Sequence, residues 1–165
     1  MIELLVFDVD GCLTDGGITY GNSDTEEFKT FHVKDGFGIV SWMKLGRKSA
    51  IITGRHSRVV ERRAKELGIS YLFQDVKDKK AVLQHILEQE GLGFENVAAI
   101  GDDLNDLALL EAVGLSFAPV DAVSIVQECV DVVLSRAGGK AVVREMIDYV
   151  VEKENLSEAF VNLWH

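Results

Sequence analysis

Two carboxylates two residues apart, Asp8 and Asp10, close an apolar run, Leu4 to Phe7, that then breaks at Gly11. The run has the length and composition of a strand buried on both faces. Such a strand cannot hold an unpaired carboxylate inside, because desolvation of the charge is too costly. The pair is therefore expected where the strand runs out, at the carboxyl edge of a parallel sheet. Two like charges that close need a proton or a cation between them, and a hard divalent ion is the usual solution. The same punctuation recurs twice. Ser49 to Thr53 stops at Gly54-Arg55, and Asn96 to Ile100 breaks at Gly101 into Asp102-Asp103-Leu104-Asn105-Asp106. Strand ends in one parallel sheet share an edge, so Asp8, Asp10, Thr53, Asp102 and Asp103 should converge. Acids with a hydroxyl describe an oxygen site for Mg²⁺, and Lys79, opening a later helix, adds a fixed positive charge. Such a set suits phosphoryl transfer, with metal and lysine neutralising phosphate oxygens while one carboxylate attacks phosphorus.

The elements that must position these groups alternate. After the first strand, Gly16–Tyr20 and Glu27–Phe31 read as a β-hairpin around the turn-rich Gly21–Thr25. Phe37, Ile39, Val40 and Met43 mark a helix over 36–45 that Gly46 ends. Ser57 is the expected N-cap of a helix over 58–67, terminated by Gly68. A strand at 69–73, a helix from Lys79 to Gly91, a helix carrying Leu107, Leu110 and Val113, and a strand at 115–118 follow. The sequence then predicts a brief helix over 122–128 and an edge strand at 130–134. Gly138-Gly139 is read as opening a long helix with Val142/Val143, Met146/Ile147 and Val150/Val151 on one face. The tail ends in Phe160, Val161, Leu163 and Trp164, too apolar for solvent, and is expected to dock, with another subunit as one candidate surface. The alternation predicts an α/β fold: a Rossmann-like, doubly wound parallel sheet, with residues 1–165 as one domain.

Composition excludes several roles. Hydrophobic residues are 47% and charged residues 27% of the 165, which is a globular composition. A formal net charge of -10 argues against nucleic acid or an anionic membrane as partner. Cys12 and Cys129 form no disulfide framework, which points to a reducing cytoplasm. Neither a signal peptide nor a membrane span is predicted. Buried Cys12 reads as a small apolar filler, and His32 and His56 lack metal-ligand spacing.

Asp8-Val9-Asp10-Gly11-Cys12-Leu13-Thr14, Ile52-Thr53-Gly54-Arg55, Lys79 and Gly101-Asp102-Asp103-Leu104-Asn105-Asp106 resemble, in order, the four motifs of the haloacid dehalogenase-like phosphatases. The resemblance spans nearly the whole chain. It implies that Asp8 is a nucleophile forming an aspartyl-phosphate and Asp10 the general acid and base. It further implies that Thr53 and Lys79 hold phosphoryl oxygens, and that Mg²⁺ is bound by Asp8, the Asp10 carbonyl and Asp102. Asp103 and Asp106 would be supporting residues. The gaps between motifs leave no room for a cap domain. Phe31-His32-Val33-Lys34-Asp35-Gly36, Thr53 to Ser57 with Arg63, and Gly138 to Glu145 resemble the capless tetrameric group typified by the 3-deoxy-D-manno-octulosonate 8-phosphate phosphatases. That implies a homotetramer built through the hairpin and a small sugar-acid phosphate as substrate. Arg55, where relatives acting on nonulosonate 9-phosphates resemble one another in carrying glutamate, favours the octulosonate. Gly54, Arg55 and Arg63 are the expected substrate-binding residues, the two arginines facing a sugar-acid carboxylate. Without the resemblance, the arginines read as surface ion-pair residues.

Two other classes compete. A phospho-accepting receiver also uses acids, a threonine and a lysine on a parallel sheet, but there the acid pair precedes the phosphorylated aspartate, whereas here the candidate nucleophile leads. A non-catalytic binding subunit is disfavoured by the intact Asp8, Asp10, Lys79 and Asp102.

Overall fold

In the computed structural model, which describes residues 1–165, six parallel strands form one sheet in the order β5-β4-β1-β6-β7-β8. Here β1 is Leu4–Phe7, β4 Lys48–Ile52, β5 Tyr71–Phe73, β6 Val97–Ile100, β7 Leu115–Ala118 and β8 Val132–Val133. The chain starts in the middle of the sheet, builds outward through β4 and β5, then crosses back to β6 on the other side of β1. The crevice between β1 and β6 is therefore the point where strand order reverses. β1 is paired on both edges, with Phe7 level with Ile51 on one side and Ile100 on the other.

The apolar side chains of β1 alternate between two cores. Leu5 and Phe7 pack with Ile39 and Trp42 of α1 (Val33–Lys44), Val60 and Ala64 of α2 (Arg58–Leu67) and Val143, Met146, Ile147 and Val150 of α6 (Val142–Lys153). Leu4 and Val6 pack with Leu83, Ile86 and Leu87 of α3 (Lys79–Glu90), Leu109 and Leu110 of α4 (Leu107–Leu110) and Val126 of α5 (Ser124–Cys129). A strand buried on both faces and both edges has no spare place for a charge, so polar residues appear only where it ends.

The hairpin is smaller than the sequence suggests. Only Thr19–Tyr20 (β2) pairs with Glu27–Phe28 (β3), and Ile18, Tyr20 and Phe28 are exposed. No cap domain is present. Gly138-Gly139 does not open α6, which begins three residues later, after Ala141 in the left-handed region. The tail docks on its own chain. In α7 (Ser157–Asn162) Phe160 is buried, and Trp164 stacks 4.5 Å from Phe37 and donates to Ser41 Oγ at 3.1 Å. No helix is long and apolar enough to cross a membrane.

Candidate active site

Past Phe7 the chain enters an irregular turn over Val9–Leu13, broken at Asp10 and at Gly11, whose φ is 97°. A side chain at Gly11 would be strained there, and its Cβ would overlap the Asp102 carboxylate. The missing side chain is what lets the β1 and β6 loops close on each other. Thr14 Oγ accepts the Gly11 and Gly16 amides and donates to the Val9 carbonyl, fixing the turn from inside. From the other side, Gly139 N–H donates to the Cys12 carbonyl at 3.0 Å. A Cβ at Gly138 would overlap the Gly11 carbonyl. The glycine pair thus backs the loop that follows Asp8.

The predicted convergence is observed. Asp8, Asp10, Thr53, Gly54, Arg55, Asp102 and Asp103 line one cavity of about 180 Å³ with no apolar side chain. Asn105, not singled out in the sequence, lines it too; its place in the Asp102–Asp106 run was the available signal. Of the lysines at 77, 79 and 80, Lys79 is the one turned inward. Its Nζ lies 2.7 Å from Asp8 Oδ1 and 2.6 Å from Asp106 Oδ1, with all three groups buried. Asp106 Oδ2 accepts the amides of Asp102 and Asp103 at 3.1 and 3.3 Å, so Asp106 holds both the lysine and the loop after β6.

Arg55 and Arg63 do not share a cavity. Arg55 stands at the mouth of the acid cavity, 3.2 Å from Glu27 and 3.9 Å from Asp10. Arg63 lies over Phe31 and lines a separate cavity of about 350 Å³ with Val33 and Val59. Arg55 precedes α2, which starts at Arg58, so the two arginines do not stand on one helix face. His56 is exposed beside Glu61 and Asp75. His32 caps α1, its Nδ1 accepting the Lys34 amide.

The acids are too crowded for their ordinary charge state. Burial, then the Asp106 charge, push Asp8 up to about 7 against the opposing pull of Lys79. Burial, then the charges of Asp106 and Asp103, bring Asp102 to about 7. Burial, then the charge of Asp8, also push the Cys12 thiol well up, and a hard divalent cation prefers oxygen to sulfur. Asp8 and Asp102 place ligand oxygens within 4.8 Å of each other, in a cradle that Gly11 keeps clear. One lysine for three carboxylates leaves the site short of positive charge, and an oxygen-liganded divalent cation matches both the donors and the deficit.

A family model of haloacid dehalogenase-like hydrolases matches residues 72–146. The chain is 43% identical over 150 residues to a 3-deoxy-D-manno-octulosonate 8-phosphate phosphatase of Escherichia coli, covering 91% of this chain and 79% of that one. The chain belongs to the haloacid dehalogenase-like hydrolases. Within the family, the phosphatase of the same name from Haemophilus influenzae is 40% identical over 159 residues, covering 96% of this chain and 88% of its own. The crystal structure of the Moraxella catarrhalis phosphatase, in complex with magnesium ion, phosphate ion and KDO, superposes with a TM-score of 0.94 at 36% identity. That match covers 99% of this chain and 94% of the other.

Proposed function

We propose that this chain, as one domain over 1–165, is a Mg²⁺-dependent phosphomonoesterase that hydrolyses 3-deoxy-D-manno-octulosonate 8-phosphate to KDO and phosphate. The observation that carries it is Lys79 bridging Asp8 and Asp106 beside Asp102, in a chain 43% identical to a phosphatase so named. A receiver would need the phosphorylated aspartate on a later strand, and here the buried aspartate that meets the lysine ends the first.

Asp8, the carbonyl of Asp10 and Asp102 would hold the Mg²⁺. Bound there, the ion supplies charge neutralisation for phosphate oxygens and for the crowded acids. Asp8 Oδ attacks phosphorus as the ester oxygen leaves, and Lys79, fixed by Asp106, keeps the nucleophile oriented while it balances phosphoryl charge. Thr53, at the end of β4, faces the same cavity and offers its hydroxyl to a phosphoryl oxygen. Asp10 gives a proton to the departing sugar oxygen, then takes one from the water that cleaves the aspartyl-phosphate. Arg55 at the mouth, beside Gly54, meets the carboxylate of the sugar acid. Arg63, in its own cavity, serves substrate only if an adjacent copy brings that cavity over a site. The exposed apolar side chains of the hairpin, Ile18, Tyr20 and Phe28, support a homotetramer; the two free cysteines support a cytoplasmic enzyme, and the net charge of -10 supports the absence of a nucleic-acid or membrane partner.

Phosphate release measured over 3-deoxy-D-manno-octulosonate 8-phosphate, a nonulosonate 9-phosphate and p-nitrophenyl phosphate tests the reading. The octulosonate ester should give the highest kcat/KM, and Asp8→Asn should abolish turnover of all three. Preference for the nonulosonate ester would move the substrate assignment, and hydrolysis that survives Asp8→Asn would end the mechanism.

A further inference from the structure

The hairpin carries a charge that no exposed surface element needs. Lys29, one residue past β3, has its side chain fully buried and paired to Asp10 Oδ1. Burying an ammonium is expensive unless it is held by partners of opposite charge. Its second partner is Glu27 Oε1 at 3.7 Å. Glu27 in turn accepts from Arg55 Nη2 at 3.2 Å, and Arg55 Nε lies 3.9 Å from Asp10 Oδ2. Each base thus touches both acids, in a four-membered ring drawn from the β1 loop, the hairpin and the β4 loop.

The ring is asymmetric about Asp10. Lys29 is buried and hydrogen-bonded to Oδ1, whereas Arg55 is nearly half exposed and stands at a looser distance from Oδ2. One carboxylate oxygen is engaged by a buried donor, and the other has only the looser Arg55 beside it. A two-stranded ribbon with two residues per strand is not stable by itself, and Lys29 and Glu27 are among the side chains that tie it to the site.

We infer that Lys29 is a positioning residue for the acid–base step. By engaging Asp10 Oδ1 it sets the carboxylate rotamer and leaves Oδ2 as the atom that hands a proton to the leaving oxygen, which makes the hairpin part of the catalytic assembly. This inference rests on the phosphatase reading. When the ester oxygen–phosphorus bond breaks, the electron pair goes to the ester oxygen, and the proton from Asp10 Oδ2 quenches it. Ionised Asp10 then recovers a proton from the attacking water.

Leaving-group dependence separates this role from a merely structural one. p-Nitrophenyl, phenyl and benzyl phosphates share a ring but differ in how much the departing oxygen needs a proton. In Lys29→Met, kcat/KM should fall roughly tenfold or more further for benzyl than for p-nitrophenyl phosphate, the direction expected when general-acid assistance is lost. Lys29→Arg should restore most of the difference. Adding Lys29→Met to Asp10→Asn should cost less than about threefold more on benzyl phosphate, because the two act through one proton. A loss of equal size on all three esters, or fully multiplicative losses in the double variant, overturns the inference. Should Lys29→Met not fold, Lys29→Gln is read for the same slope against the same criteria. A parent chain that hydrolyses neither these esters nor 3-deoxy-D-manno-octulosonate 8-phosphate instead defeats the phosphatase reading, so the two failures are distinguishable.

Discussion

Lys79 Nζ lies 2.7 Å from Asp8 Oδ1, and the same nitrogen reaches Asp106 at 2.6 Å, with solvent excluded from all three groups. The lysine holds the Asp8 carboxylate in place and is the only side-chain charge opposing the two acids it touches. Its removal should harm catalysis and stability together. Lys79→Met should lower kcat by about a hundredfold or more. It should also destabilise the fold by about 3 to 5 kcal/mol, since two buried carboxylates are left uncompensated. Phosphate release and urea midpoints check the two effects. Part of the lost stability should return on adding Mg²⁺, and a midpoint indifferent to both the substitution and the ion would contradict the charge argument.

Metal removal follows the same reasoning. Asp102 is crowded by Asp106 and Asp103, so chelation should lower the melting temperature of the parent chain and stop turnover. An ion bound at a hundred times its Kd stabilises by about 2.7 kcal/mol, which calorimetry with and without Mg²⁺ detects. Asp102→Asn relieves the repulsion, so the chelated variant should melt no lower than the chelated parent while losing the Mg²⁺ response. A full Mg²⁺ response in Asp102→Asn would remove Asp102 from the ligand set.

The glycine pair behind the loop that follows Asp8 makes a third case. A Cβ at Gly138 would overlap the Gly11 carbonyl and stand 2.9 Å from that of Thr14. Both obstacles are backbone, which cannot swing aside. Gly138→Ala should therefore displace the loop, costing about 1 to 3 kcal/mol as overpacking does. Since a misplacement of about 1 Å can cost a hundredfold in rate, kcat should fall more than stability alone explains. Parent-like kcat in a folded Gly138→Ala protein would show that the contact does not bear on the placement of Asp8.

Strand ends and helix faces were legible in the sequence because burial forces them. Leu115–Ala118 and Arg58–Leu67 form with the expected bounds, and the acids converge because a parallel sheet leaves them one edge. Lys79 was legible as the first residue of a helix. Lys29 was not, since a lysine in an alternating hairpin reads as solvated, and only the folded chain brings it to Asp10, nineteen residues away. Gly138-Gly139 resembled a helix start because the apolar pairs of α6 follow so soon. What the two glycines serve is close approach to another loop, and sequence spacing carries no record of that. Ser57 occupies the N-cap position, yet its hydroxyl makes no cap bond; a cap is a matter of rotamer as well as residue type.

Asp35 allows a prediction about pH away from the reacting groups. On the first turn of α1, it accepts the Arg144 amide of α6 through Oδ1 at 2.7 Å, while its buried Oδ2 has no partner. Burial raises it to about 6, against the Arg144 amide bond and the charges of Arg136, Arg63 and Arg144. A carboxyl raised in the native state binds its proton more tightly there than when unfolded. Its protonation therefore stabilises the fold as pH falls through about 6, and that gain is complete only below its ordinary value of 3.8. A tenfold difference in proton affinity is worth about 1.36 kcal/mol, so the contribution is on the order of 2 to 3 kcal/mol. Asp35→Asn keeps the acceptor and cannot ionise. The stability difference, Asn variant minus parent, should thus shrink by that order between pH 7 and pH 4, with the variant at its relative best near neutrality. Urea unfolding of both proteins across this range measures it, and a difference independent of pH would show that Asp35 titrates alike in the folded and unfolded chain.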